Sequence, residues 1–131
     1  MAKDRKKWYW AAFAVYGLLM LWRLFGQRWG QSAGALNLEP FDTVRRYIWV
    51  LTHSSDADLL RHAVINLGGN VAMFVPLGFL VPCIWEKMGK FGWHFLAMVL
   101  TIVLIELLQL MTNLGSCDVD DLILNLVGTA M

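Results

Sequence analysis

Long apolar runs separated by short polar segments dominate this sequence. Three runs cover residues 8–25, 67–85 and 94–111, and a shorter fourth run covers residues 122–131. At about 1.5 Å of rise per residue, a helix of about 20 apolar residues crosses the hydrocarbon core of a bilayer, whereas the last run covers about half of it. The pattern therefore predicts an all-α, polytopic membrane helical bundle of about four helices, the fourth of them short.

The polar segment between the first two runs contains a further helix signal. Within residues 43–51, apolar side chains recur at helical spacing, at Val44, Tyr47, Ile48 and Leu51. This spacing predicts a short amphipathic helix that lies on the membrane surface. Residues 56–66 have the pattern of a helical lead-in to the second span. The adjacent glycines Gly68 and Gly69 predict a close approach between helices there.

Composition and charge support a membrane protein. Hydrophobic residues make up 58% of the 131 residues, and the mean hydropathy is +0.53, too apolar for an ordinary soluble domain. No repeat, low-complexity tract or linker divides the chain, so residues 1–131 are expected to form one domain. A net charge of +1 gives no reason to expect a nucleic-acid partner.

The basic residues predict an orientation. The N-terminal tail and residues 86–93 together contain six Lys or Arg, whereas residues 112–121 contain none and three acids. Because short cytoplasmic loops are rich in Lys and Arg, we expect a multi-pass protein of the cell membrane with a cytoplasmic N-terminus. Membrane lipid is then its first expected partner.

Polar residues interrupt three of the predicted spans at one depth. Helical spacing places them on one face of each helix: Asn66 and Asn70; Glu106, Gln109 and Asn113; and Asp118, Asp121 and Asn125. The second span starts, the third ends and the fourth starts on the same side, so the three stripes should meet beneath the outer surface. Ionisable groups within a span are costly and are usually paired or functional. We therefore predict a polar binding pocket, with a purely structural hydrogen-bond network as the alternative.

These residue types leave more than one chemistry open. A non-enzymatic pocket could bind a lipid-linked or glycopeptide ligand, or a partner protein. An intramembrane enzyme acting on a lipid headgroup would use Glu106 or Asp121 as general base, with Asn70 and Asn125 orienting the substrate. No nucleophile is evident, which favours the binding protein. No cofactor is expected, although Glu106, Asp118 and Asp121 could supply oxygen ligands to a divalent cation.

Four segments resemble the VanZ-like family of small bacterial membrane proteins, in the order of the family. They are residues 37–41 (NLEPF), 66–78 (NLGGNVAMFVPLG), 106–109 (ELLQ) and 118–128 (DVDDLILNLVG). The family is named for a protein associated with resistance to the glycopeptide teicoplanin. The resemblance implies a four-helix membrane protein facing the cell envelope and a link to antibiotic resistance, but it supplies no mechanism.

Two departures from the family pattern bear on the site. The turn at residues 112–117 lacks the arginine often seen there, and Cys117 occupies a position where an aromatic residue is usual. Because this arginine is absent, the turn has no basic residue to pair with the acids that follow it. The last helix is also shorter than the usual fourth span.

Overall fold

The computed structural model describes residues 2–26, 36–112 and 118–131, and this part of the chain is helical. Its five α-helices are α1 (Ala2–Leu21), α2 (Asp42–His53), α3 (Ala57–Ile84), α4 (Phe91–Met111) and α5 (Val119–Ala130). A π-helical turn, Trp22–Gly26, extends α1, and a 3₁₀ turn, Glu86–Gly89, joins α3 to α4. The predicted all-α class is confirmed, and each predicted run coincides with a helix. Most of the predicted turn at residues 112–117, with Asn113, lies outside the described residues.

Aspartates stabilise the starts of two helices. At the start of α3, the Asp56 carboxylate accepts hydrogen bonds from the backbone N–H groups of Asp58 at 2.9 Å and Leu59 at 3.2 Å. At the start of α5, Asp118 accepts from the N–H of Asp120 at 2.9 Å. Both satisfy donors that a first helical turn leaves free. The predicted lead-in is thus the first part of one 28-residue helix.

Helix α3 is central and packs against α1, α2 and, most extensively, α5. Two glycines allow α3 and α5 to approach closely. A Cβ atom on Gly78 would collide with the backbone of Thr129, and one on Gly128 would collide with the carbonyl of Val71. Because neither glycine has a side chain, the backbones of α3 and α5 can come into contact at these two positions.

The close approach predicted at Gly68 and Gly69 is wrong. A Cβ atom on Gly68 would have no neighbour within 4 Å, and one on Gly69 would reach only Ile65 of the same helix, at 4.0 Å. These two glycines lie on an exposed face of α3, whereas α3 meets α5 most closely at Val71 and Gly78.

Apolar side chains form a small core and leave large faces uncovered. The core joins α1 with its π turn, α3 and α4 through Met20, Leu24, Phe74, Leu77, Val81, Met98 and Ile102. Within the described residues, three helices are long and apolar enough to cross a membrane, Arg5–Gly26, Ala57–Ile84 and Phe91–Met111. Outward residues such as Leu18 and Phe79 are 68% and 62% exposed. Such faces suit a lipid environment and support the predicted membrane protein.

Candidate functional site

The first acid, Asp118, is the residue that caps the start of α5, and it joins this helix to the first turn of α2 and to the segment that precedes α2. Its Oδ2 accepts a hydrogen bond from Thr43 Oγ1 at 2.7 Å, and Asn37 Nδ2 lies 3.4 Å from both carboxylate oxygens. The backbones are joined as well, since the N–H of Val119 donates to the carbonyl of Asn37 at 3.1 Å. The oxygens of Asp118, which was predicted to bind a ligand, are therefore occupied by the protein itself.

The second acid, Asp120, is fully buried and was not among the predicted site residues. Its Oδ1 accepts from the N–H of Phe41 at 2.5 Å and its Oδ2 accepts from the N–H of Val44 at 3.0 Å. Phe41 precedes α2 with a left-handed backbone, φ 66°, and provides no side-chain cap. Asp120 therefore caps α2 from a distant part of the chain. The helical spacing that selected Asp121 gave no reason to select Asp120.

The third acid, Asp121, points toward a polar stripe on α3. Its Oδ1 accepts from Asn70 Nδ2 at 2.5 Å. One turn earlier on α3 lies Asn66, and one turn before that lies His62, whose ring centroid is 6.4 Å from that of Tyr47 on α2. The i, i+4 spacing that links the two asparagines extends to His62. That signal alone could have added the histidine to the predicted site.

Tyr47 joins α2 to the same group of residues. Burial raises the pKa of its phenol; the Arg46 guanidinium opposes this, whereas the carboxylates of Asp121 and Asp118 raise the pKa further. Arg46 also donates from Nη2 to Thr43 Oγ1 at 3.1 Å. Arg46 also lies 3.8 Å from the carboxylate of Asp42, so its partners in the structure belong to α2, and Thr43 is the residue that connects it to Asp118.

Two buried side-chain amide oxygens, one on α3 and one on α5, accept no hydrogen bond from the described residues. They are Oδ1 of Asn66 and Oδ1 of Asn125, which is only 3% exposed. An unpartnered buried polar atom costs about 1–3 kcal/mol, so a hydroxyl or N–H donor from a bound molecule would stabilise it. We use the term polar cluster for the six residues Tyr47, His62, Asn66, Asn70, Asp121 and Asn125.

The predicted residues of α4 have a different setting. Gln109 is buried, and its Nε2 donates to the carbonyl of Leu24 at 3.1 Å. Leu24 lies in the π turn that extends α1, where the changed hydrogen-bond register frees backbone groups. The hydrogen bond that the structure gives Gln109 therefore joins α4 to α1. Glu106 is buried one turn earlier on the same helix.

The cation site that the sequence left open does not form. Among the described residues, no three acidic, imidazole or thiol groups gather closely enough to hold a metal ion. Asp118 offers no free ligand atom, since its carboxylate faces Thr43, and the carboxylate of Asp121 faces Asn70.

Comparison with known proteins gives one match. The family model described as VanZ/LLP1 matches residues 8–131, which include every residue predicted for the site. No curated protein and no solved structure matches this chain.

Proposed function

This chain belongs to the VanZ/LLP1 family of membrane proteins, and we propose that its polar cluster binds a lipid-linked cell-wall precursor or a glycopeptide. Through this binding the protein lowers the access of teicoplanin-type antibiotics to the precursor. The family match confirms the resemblance drawn from four sequence segments. It supports the link to glycopeptide resistance because the family is named for a protein associated with it.

The observation that carries the proposal is the pair of unpartnered oxygens on Asn66 and Asn125. Both lie on the helices that hold Asn70 and Asp121, which are joined by a hydrogen bond between α3 and α5. Carbohydrate and peptide ligands carry many hydroxyl and N–H donors. Such a ligand would satisfy the two amide oxygens, whereas an acyl chain would leave them without donors.

The position of the cluster along the bundle supports a site near the outer leaflet. The first turns of α1, with Arg5 and Lys6, lie beside Cys83 at the end of α3. Asn66 and Asn70 belong to the other half of α3 and so lie away from these basic residues. If the basic end is cytoplasmic, as the charge pattern predicts, the cluster faces the cell envelope.

Ligand-induced thermal stabilisation of the purified protein in detergent tests the proposal. The two probes are teicoplanin and a lipid-linked disaccharide-pentapeptide precursor. We expect one of them to raise the Tm of the wild type, because a ligand at 100 times its Kd stabilises by about 2.7 kcal/mol. Asn125→Leu and Asp121→Asn should abolish the shift, while Asp58→Asn, at a side chain 94% exposed, should keep it.

An intramembrane enzyme is the alternative, and the same variants distinguish it. An enzyme that uses Glu106 or Asp121 as general base would convert the lipid-linked probe, and Glu106→Gln or Asp121→Asn would stop that conversion without removing the Tm shift. A wild type whose Tm responds to neither probe would contradict the binding proposal.

A further inference from the structure

A second polar site lies at the end of the bundle away from the polar cluster. A cavity of about 350 Å³ lies between the first turns of α1 and the last turn of α3, and it is lined by Arg5, Lys6, Tyr9, Cys83 and Glu86. Pockets for small molecules have volumes of about 300–1,000 Å³. This cavity therefore suits a small polar group, such as the headgroup of a phospholipid.

Basic and acidic side chains line this cavity without pairing to one another. Arg5 and Lys6 come from α1, and Glu86 begins the 3₁₀ turn after α3. Among the described residues, no ion pair or hydrogen bond joins either base to Glu86. A ligand that carries an anion and a cation a few bonds apart would pair with both sides of the cavity.

Aromatic residues place the cavity at the level of the membrane interface. Trp85 packs edge to face on Trp10 and Phe13, with ring centroids 5.0 and 5.5 Å apart. The rings of Tyr9 and Phe79 also pack edge to face, with centroids 6.4 Å apart. Trp and Tyr are enriched where headgroups meet the hydrocarbon. From this level, the exposed apolar faces of α1 and α3 continue along the length of the helices, where they can contact acyl chains.

From these features we infer that the cavity binds the headgroup of an ethanolamine phospholipid. The phosphate lies against Arg5 and Lys6, and the ammonium group donates to the carboxylate of Glu86. A glycerol headgroup satisfies the two bases but brings no cation to Glu86. A choline headgroup brings a positive charge but no N–H donor. The ethanolamine headgroup matches all three charges.

Lipid-induced stabilisation of the full chain tests this inference. The delipidated protein in detergent is titrated with phosphatidylethanolamine, phosphatidylglycerol or phosphatidylcholine of identical acyl chains, and apparent affinity is read from Tm or native mass spectrometry. We expect the ethanolamine lipid to bind about fivefold more tightly than the other two, as suits a partly exposed ion pair. Glu86→Gln should remove this preference while binding of phosphatidylglycerol persists.

Matched variants separate the site from general charge effects. Glu39→Gln removes one acid from an exposed position outside the cavity and should leave the preference unchanged. Joint replacement of Arg5 and Lys6 by Gln should weaken the binding of all three lipids, whereas Lys90→Gln, also outside the cavity, should not. Equal affinity for the three lipids, or a preference that persists in Glu86→Gln, would overturn the inference.

Discussion

The start of α5 contacts two neighbours, and the two contacts differ in how completely their polar groups are satisfied. Toward α2, Asp118 and Asp120 accept hydrogen bonds from Thr43 and from the backbone of Phe41 and Val44. Toward α3, Asp121 pairs with Asn70, but the neighbouring amide oxygens of Asn66 and Asn125 have no described partner. Acids of one short segment therefore divide between holding the fold and lining a candidate binding site.

The largest effect is expected where the carboxylate is most deeply engaged. Asp120→Asn places an amide N–H₂ against one of the backbone donors of Phe41 and Val44, and that donor remains buried without an acceptor. We expect a loss of about 3 kcal/mol in the free energy of unfolding. Thermal unfolding in detergent measures it.

The control for this prediction is Asp58→Asn, because the Asp58 side chain is 94% exposed and its ion pair with Arg61 spans 3.9 Å. An exposed pair of this kind contributes less than about 1 kcal/mol. Equal Tm values for Asp120→Asn and Asp58→Asn would show that the contact between α5 and α2 is not held by Asp120.

The next effect concerns how α3 and α5 are held together. Gly128→Ala introduces a Cβ against the carbonyl of Val71, and since a backbone atom cannot move aside cheaply, we expect a loss of about 2 kcal/mol. Gly68→Ala is the matched control, because a Cβ there meets nothing. It should leave stability unchanged or raise it by about 0.5–1 kcal/mol, since alanine favours helix.

Glycine variants sharpen the comparison between the two faces of α5. If Gly128→Ala is destabilising and Gly68→Ala is not, backbone contact holds α3 against α5. The polar residues between these helices are then not needed to join them and remain available to a ligand. The reverse order of stabilities would assign the joining role to the polar residues.

Sequence periodicity predicts the helices and the contact between α3 and α5, but not the contacts of α5 with α2. The spacing of Asn66 with Asn70 and the acids of the last run were sufficient to bring α3 and α5 together at Asp121. Periodicity could not separate structural from unpaired groups, because the partners of Asp118 and Asp120 in and before α2 are 75 to 81 residues away in the chain. Backbone donors such as the Phe41 N–H leave no mark in a pattern of side chains.

The glycines show the same limit. A pair of adjacent glycines at residues 68 and 69 predicted the close contact, but the contact lies at Gly78 and Gly128. Which glycine meets a neighbouring backbone depends on the crossing of α3 and α5, and the sequence of one helix does not contain that information. The role of Gln109 at the π turn of α1 depends on a local change of helix register in the same way.

A smaller effect is expected from Tyr47, which lies between the two faces. Its ordinary pKa is 10.0, and burial, with help from Asp121 and Asp118, raises the pKa in the folded protein. The contribution of the neutral phenol is present below pH 10 and is lost as the pH rises toward the raised pKa. Unfolding curves should therefore show a steeper loss of stability above pH 10 for the wild type than for Tyr47→Phe. Parallel curves for the two proteins would contradict this placement of Tyr47.

The most direct test compares one residue from each face of α5 in a single assay. Thermal unfolding of Asn125→Leu and Asp120→Asn is measured with and without the probe that stabilises the wild type. We predict that Asn125→Leu unfolds at or above the wild-type Tm but no longer responds to the probe, because it replaces a carboxamide whose buried oxygen accepts no hydrogen bond from the described residues. Asp120→Asn should unfold at a lower Tm and still respond. An Asn125→Leu protein that is destabilised and still responds to the probe would contradict the division between structural and binding residues.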